Sequence, residues 1–252
     1  MKNHFTVASL AIACLAAAGC ASRPAGADIL ANKQAYLDAN FDTSKVDSSV
    51  RETLAKAGST APRFSKLKLV TTLDAEREGS QPTTQKSTYT IRDLGNGYVQ
   101  ELMDVTKNDI PSSTKFILSY RGMLYLRSKW VYPGSAPSGL IQTAKKLSAP
   151  IPTPTPNSNF SVDASFGTEV QLTGFSDEKF ACSSGNWLQA EAVHKSLPGR
   201  YLELACEQSN KGTTIARMKL YWFEDLGMAH QMEYTSTRTK EKVRIDEVQI
   251  ER

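Results

Sequence analysis

Histidine is scarce in this chain, with three copies in 252 residues, and one of them, His4, falls in the leading apolar stretch. Only His194 and His230 remain for imidazole chemistry. The usual catalytic signatures are absent too. No Gly-x-Ser-x-Gly elbow occurs, which removes the commonest serine-hydrolase signal. There is no glycine-rich phosphate loop, no His-Glu-x-x-His pair and no calcium-binding loop. Ser65-Lys66-Leu67-Lys68 and Ser112-Ser113-Thr114-Lys115 each match Ser-x-x-Lys. Serine–lysine catalysis needs the two side chains to meet one helical turn apart, and both copies stand at strand starts. Acidic pairs such as Glu76/Glu78 and Asp104/Asp109 lie in or near loops and read as solvated charge. No set of residues converges on a reaction, so the expectation is a non-catalytic protein with no cofactor.

Concentrated charge of one sign is lacking as well. Thirty Lys and Arg face 26 Asp and Glu, a formal net charge of +4. Nucleic-acid binding needs Lys and Arg gathered on one face, and the densest basic stretch, Arg238 to Arg244, is broken by Glu241. It reads as a solvated strand edge, where lysine discourages edge-to-edge pairing. Long apolar runs are missing except at the start. Phe5 to Ala18 is uncharged for about fourteen residues, the length of a signal-peptide h-region and short of the ~20 a membrane span needs.

Lys2 gives that run a positive flank, and Ala17-Ala18-Gly19-Cys20 ends it with small residues before a cysteine. This pattern resembles the signal of bacterial lipoproteins. The resemblance implies that residues 1–19 are a signal peptide, that the chain is cut before Cys20, and that Cys20 carries acyl chains such as palmitate. Ala21 stands where Asp would retain a lipoprotein in the inner membrane, so the resemblance implies the outer membrane, periplasmic face. Two other cuts fit the residues. One precedes Cys14, after Ala11-Ile12-Ala13, at the cost of a shorter h-region. The other is an ordinary secretory cut after Ala16-Ala17-Ala18 that leaves Cys20 as a thiol. Two or more acyl chains hold a protein stably, at ~0.8 kcal/mol per buried CH₂, so the expected membrane partner is reached through the amino-terminal lipid.

Outside the leader the cysteines are Cys182 and Cys206. In an oxidising compartment disulfides persist, and these two are expected to pair. Two buried thiols are the alternative, and a metal pair lacks the close Cys/His spacing of zinc sites.

Residues 20–28, with Pro24 and Gly26, read as a tether. Leu30, Leu37 and Phe41 recur at helical spacing. Ser44 is a cap for a second helix whose stripe is Val46, Val50, Leu54 and Ala57, with Gly58 as its C′ residue. From Lys66 the period falls to two. Leu67, Leu69, Thr71 and Leu73 alternate with polar positions, and strands follow over 87–94, 98–106, 115–120 and 123–132. Leu140 to Leu147 reads as one or two helical turns. Residues 148–159 are an extended Pro/Thr spacer that divides two halves or crosses within one sheet. Strands resume over 169–175, 179–183, 201–208, 213–223, 228–235 and 243–250, while 187–194 fits helix or strand. The short connections make the strands antiparallel.

The expected fold is therefore mainly β: an antiparallel curved sheet or half-barrel meander with short N-terminal helices, residues 29–252 forming one domain, with α+β as the alternative. In outline, though in no motif, it resembles the curved-sheet periplasmic carriers that handle lipoproteins. Met228, His230 and Met232 alternate on one strand. Thioethers with imidazole form a copper(I)-type ligand set, and the competing reading is core, with methionine filling gaps. Trp130, Tyr132, Trp187, Tyr221, Trp222 and Phe223 are either core or the wall of a concave apolar surface. The functional expectation is a tethered envelope lipoprotein that binds an apolar ligand or an envelope protein, with no nucleic acid. The alternatives are a component of an envelope assembly and a periplasmic enzyme.

Overall fold

The computed structural model describes residues 25–134 and 139–252. The leader 1–19, Cys14, the expected lipidation residue Cys20 and the first part of the tether lie outside the described residues.

Twelve antiparallel strands close into one barrel in simple chain order. They are β1 (Lys66–Arg77), β2 (Thr83–Asp93), β3 (Tyr98–Lys107), β4 (Ile110–Tyr120), β5 (Leu124–Val131), β6 (Gln142–Leu147), β7 (Asn159–Thr168), β8 (Ser176–Gln189), β9 (Arg200–Asn210), β10 (Thr213–Phe223), β11 (Met228–Ser236) and β12 (Thr239–Glu251). The alternation read from the sequence is what closure uses: one face of each strand turns to the lumen and the other outward. The sheet goes beyond the expected half-barrel because β12 pairs with β1 along nearly its whole length, from Lys66↔Glu251 to Arg77↔Thr239. The basic stretch 238–244 is consequently not a sheet edge. It begins β12, whose outward Lys240, Lys242 and Arg244 stand beside Glu76, Asp74 and Thr72 of β1. Two seams stay thin. β5 and β6 share only Arg127↔Thr143 and Ser128↔Gln142, and β11 and β12 only Glu233↔Lys242 to Thr235↔Lys240.

The helices α1 (Gly26–Ala31), α2 (Lys33–Asn40) and α3 (Ser48–Ala55) lie on the outside of the barrel. Helix α1 thus takes in the last residues of the expected tether. Their apolar stripe, Ile29, Leu37, Phe41, Val50 and Leu54, packs with outward residues such as Phe116, Leu118 and Leu126. Phe41 and Phe116 stack at 5.9 Å. Polar ties fix this cladding. Arg127 donates from Nε to the Asn40 carbonyl and from Nη1 to the Lys45 carbonyl, each at 2.9 Å. Lys33 meets Asp104 at 2.6 Å, so Asp104 is a docking partner and not the free loop charge its sequence position suggests. The cap of α3 is Asp47, which accepts from the Ser49 amide. Ser44 sits instead in a 3₁₀ turn over Thr43–Lys45, capped by Asp42.

Two segments differ from the sequence reading. Most of Leu140–Leu147, from Gln142 on, forms β6 because the barrel needs a strand between β5 and β7 there, and sheet context overrides local preference. Residues 169–175 form the β7–β8 loop. The Gln171 side chain replaces a strand partner: Oε1 accepts from the Thr168 amide, and Nε2 donates to the Thr173 and Gly174 carbonyls. The Pro/Thr spacer joins the neighbouring strands β6 and β7 of the same barrel. Residues 187–194 end β8 and pass into a 3₁₀ turn over Ala190–Ala192.

Candidate functional site in the barrel lumen

The two ends of the barrel differ. At one end Leu67, Leu69, Ile91, Val99, Leu226 and Met228 form a closed apolar floor. The first half of β11, released from β12, runs across this end. There the Ala229 amide donates to the Arg121 carbonyl at 2.8 Å. The opposite end, ringed by Arg77, Ser80, Gln81, Lys107, Ser112 and Tyr132, is the exposed mouth. Between floor and mouth lies a cavity of about 1170 Å³, larger than the roughly 300–1,000 Å³ of ordinary small-molecule sites.

Strand register sets the wall in layers. One layer runs Leu69, Tyr89, Met103, Lys115, Trp130 across β1 to β5. The layer towards the floor is Leu67, Ile91, Glu101, Ile117, Ser128. The layer towards the mouth is Thr71, Ser87, Val105, Ser113. The wall therefore mixes apolar and polar groups about equally, with Lys115 on the middle of these layers and Glu101 on the one below it. Tyr125 and Trp130 keep 39% and 41% of their surface accessible. Both line the cavity, so the lumen is not filled by its own side chains at this level.

Electrostatics single out the same belt. Glu101 is buried and accepts from the Ser119 hydroxyl at 2.8 Å; burial raises its carboxyl to about 7 against that hydrogen bond. The Lys115 ammonium lies 4.1 Å over the Tyr125 ring and 5.3 Å from the Trp130 ring. Burial lowers it to about 8, while Glu101 and Glu241 pull the other way. Burial also pushes the Tyr89 and Tyr125 hydroxyls up and holds His230 down at about 4, so His230 is neutral at physiological pH. The His230 ring meets Tyr89 edge-on at 5.0 Å, and its Nε2 is buried without a hydrogen-bond partner.

The residues picked out from sequence fare differently. Cys182 and Cys206 face each other across β8 and β9 and form a disulfide, Cα–Cα 4.1 Å. Met228 and His230 keep their alternation, opposite Phe223 and Tyr221 of β10. The pairing with β10 slips between Glu233 and Gln231, leaving Met232 in a bulge. Met228 and Met232 sit in the apolar cluster with Phe64 and Phe223, and His230 turns to the lumen wall. His194 accepts from the Ser196 amide at Nδ1 and is spent on its own turn. The aromatic set splits. Trp222 and Phe223 are core, whereas Trp130 and Tyr132 stack at 6.2 Å on the cavity wall. Sequence reasoning passed over Glu101, Lys115, Tyr89 and Tyr125. Lys115 was visible as the end of a Ser-x-x-Lys match, and its real signal is a lysine sharing the inward alternation of Ile117 and Ser119.

The class these features define is a closed antiparallel barrel with a plugged floor and an open, mixed-polarity lumen. No family model matches the chain, and no curated protein does. Among solved structures it is similar to a beta-barrel-like protein of domain of unknown function DUF1849 from Brucella abortus, at 8% identity and TM-score 0.48, covering 76% of this chain and 100% of that one.

Proposed function

We propose that the chain is an exported lipoprotein, anchored through Cys20 on the periplasmic face of the outer membrane, that acts as a non-catalytic carrier or sensor of an apolar ligand held in its lumen. The carrying observation is the cavity of about 1170 Å³ behind accessible Tyr125 and Trp130. The apolar part of that wall, including Leu73, Met103, Val105 and Leu220, favours an apolar guest at roughly 25 cal/mol per Å² of apolar surface covered. The Cys182–Cys206 disulfide fits an oxidising compartment. The outward residues of β1 and β12 include Lys66, Lys68, Asp74, Lys240, Lys242 and Arg244, which argues against a barrel embedded in lipid, whose outer band is apolar. That is compatible with a tethered position beside the membrane.

Two measurements test this reading. Fatty-acid labelling of the expressed protein should be lost in Cys20→Ala, and an unmodified Cys20 in the native chain overturns the anchor. Organic extraction of the protein purified from envelopes should release a stoichiometric apolar molecule, and an extract free of one weighs against carriage. A second reading, a component of an envelope assembly, draws on exposed Ile110, at the start of β4, and on exposed Val170 and Leu172 of the β7–β8 loop. On that reading, purification with the tether intact recovers one companion at fixed stoichiometry, and Val170→Ser/Leu172→Ser releases it.

A further inference from the structure

We propose that the lumen's ligand is an acyl chain ending in a single carboxylate, with the carboxylate seated on Lys115 at mid-depth. This rests on the carrier reading above and specifies its substrate class. Lys115 is framed by the rings of Tyr125 and Trp130 at mid-depth, and among the described residues no carboxylate forms an ion pair with it. A lysine in such a position holds its place at a desolvation cost that a bound anion offsets. The acids within its field are Glu101 and Glu241, and both have their carboxyls raised by burial. Glu101 in its protonated form adds a hydrogen-bond donor instead of a competing charge.

A single ammonium framed by the Tyr125 and Trp130 rings pairs with one negative charge. A phosphate monoester, with close to two charges at neutral pH, would leave uncompensated charge next to Glu101 and Glu241. Apolar wall on both sides of the belt, including Leu73, Met103, Val105 and Leu220, accommodates the chain.

The test uses the full chain and three probes of equal length: octadecanoate, its methyl ester and octadecyl phosphate. Binding is followed by calorimetry and by quenching of tryptophan fluorescence, in the native sequence and in Lys115→Met and Lys115→Arg. Circular dichroism and Tm establish that each variant is folded; the probe series on the native sequence stands whether or not they are. The expected result is octadecanoate binding about tenfold or more tighter than the ester, a preference abolished in Lys115→Met and kept in Lys115→Arg. Equal affinity for acid and ester overturns the Lys115 assignment while leaving the carrier reading intact. Tighter binding of the phosphate overturns the monoanion argument. A preference that survives Lys115→Met places the head elsewhere and overturns the proposal. No binding of any probe overturns it together with the carrier reading.

Discussion

Gly122 lies so close to Ala229 that a methyl group on it would stand 2.1 Å from the Ala229 carbonyl oxygen. Its φ of +66° is also one that side chains rarely adopt. This backbone contact seats the start of β11 across the floor. It is joined there by the hydrogen bonds from the Ala229 amide to the Arg121 carbonyl and from the Arg121 amide to the Gly97 carbonyl.

Gly122→Ala therefore cannot be absorbed by a side-chain movement. Strain in the left-handed region alone costs about 1–3 kcal/mol, and the clash adds to it. The expected outcome is a fall in denaturation midpoint and faster exchange of the Ala229 amide. Unchanged exchange would mean that the floor is not held by this contact.

Glu101 should make stability fall with pH in a definite window. Its folded value, about 7, is above the ordinary 4.5, so the fold binds its proton more tightly than the unfolded chain does. That contribution is fully present below about 4.5 and is lost as pH rises through about 7. Glu101→Gln removes the dependence. Its unfolding free energy should match that of the native protein near pH 5 and exceed it at pH 8, by an amount on the order of 3 kcal/mol at most, since Lys115 loses an opposite charge in exchange. A constant difference between pH 5 and pH 8 would contradict burial as the cause.

Arg127 ties the outer helices to the barrel through the Asn40 and Lys45 carbonyls. Arg127→Met keeps the apolar stem and orphans both acceptors, at a cost of roughly 2–4 kcal/mol. Limited proteolysis should then cut first within residues 26–55. Cleavage spread evenly over the barrel loops would show that the cladding is held by its apolar stripe alone.

Reduction of Cys182–Cys206, or the double change to serine, releases a loop spanned by a sequence separation of 24. The expected loss is about 3 kcal/mol, read as a lower denaturant midpoint with an intact far-ultraviolet spectrum. No shift on reduction would leave the bridge without a stabilising role.

The parts of the fold legible in the sequence were those governed by local period. Alternation in β1, β3, β9 and β10, and the helical stripe Val46, Val50, Leu54, are visible residue by residue. Closure was not, because the pairing of β1 with β12 joins residues at opposite ends of the chain. Nor was the strand character of β6, which its neighbours impose. The lumen site stayed hidden for a related reason. Glu101, Lys115, Tyr125 and His230 come from four strands, and each looks solvated or structural alone. The bulge at Met232 leaves no mark in composition either.

Photolabelling with an acyl-chain diazirine, followed by peptide mapping of the folded full-length protein, addresses occupancy of the lumen most directly. Adducts should concentrate on the inward residues Met103, Tyr125, Trp130 and Met218, and excess octadecanoate should suppress them. Adducts confined to the outer face, or no more abundant than on unfolded chain, would show that the barrel does not carry an apolar guest.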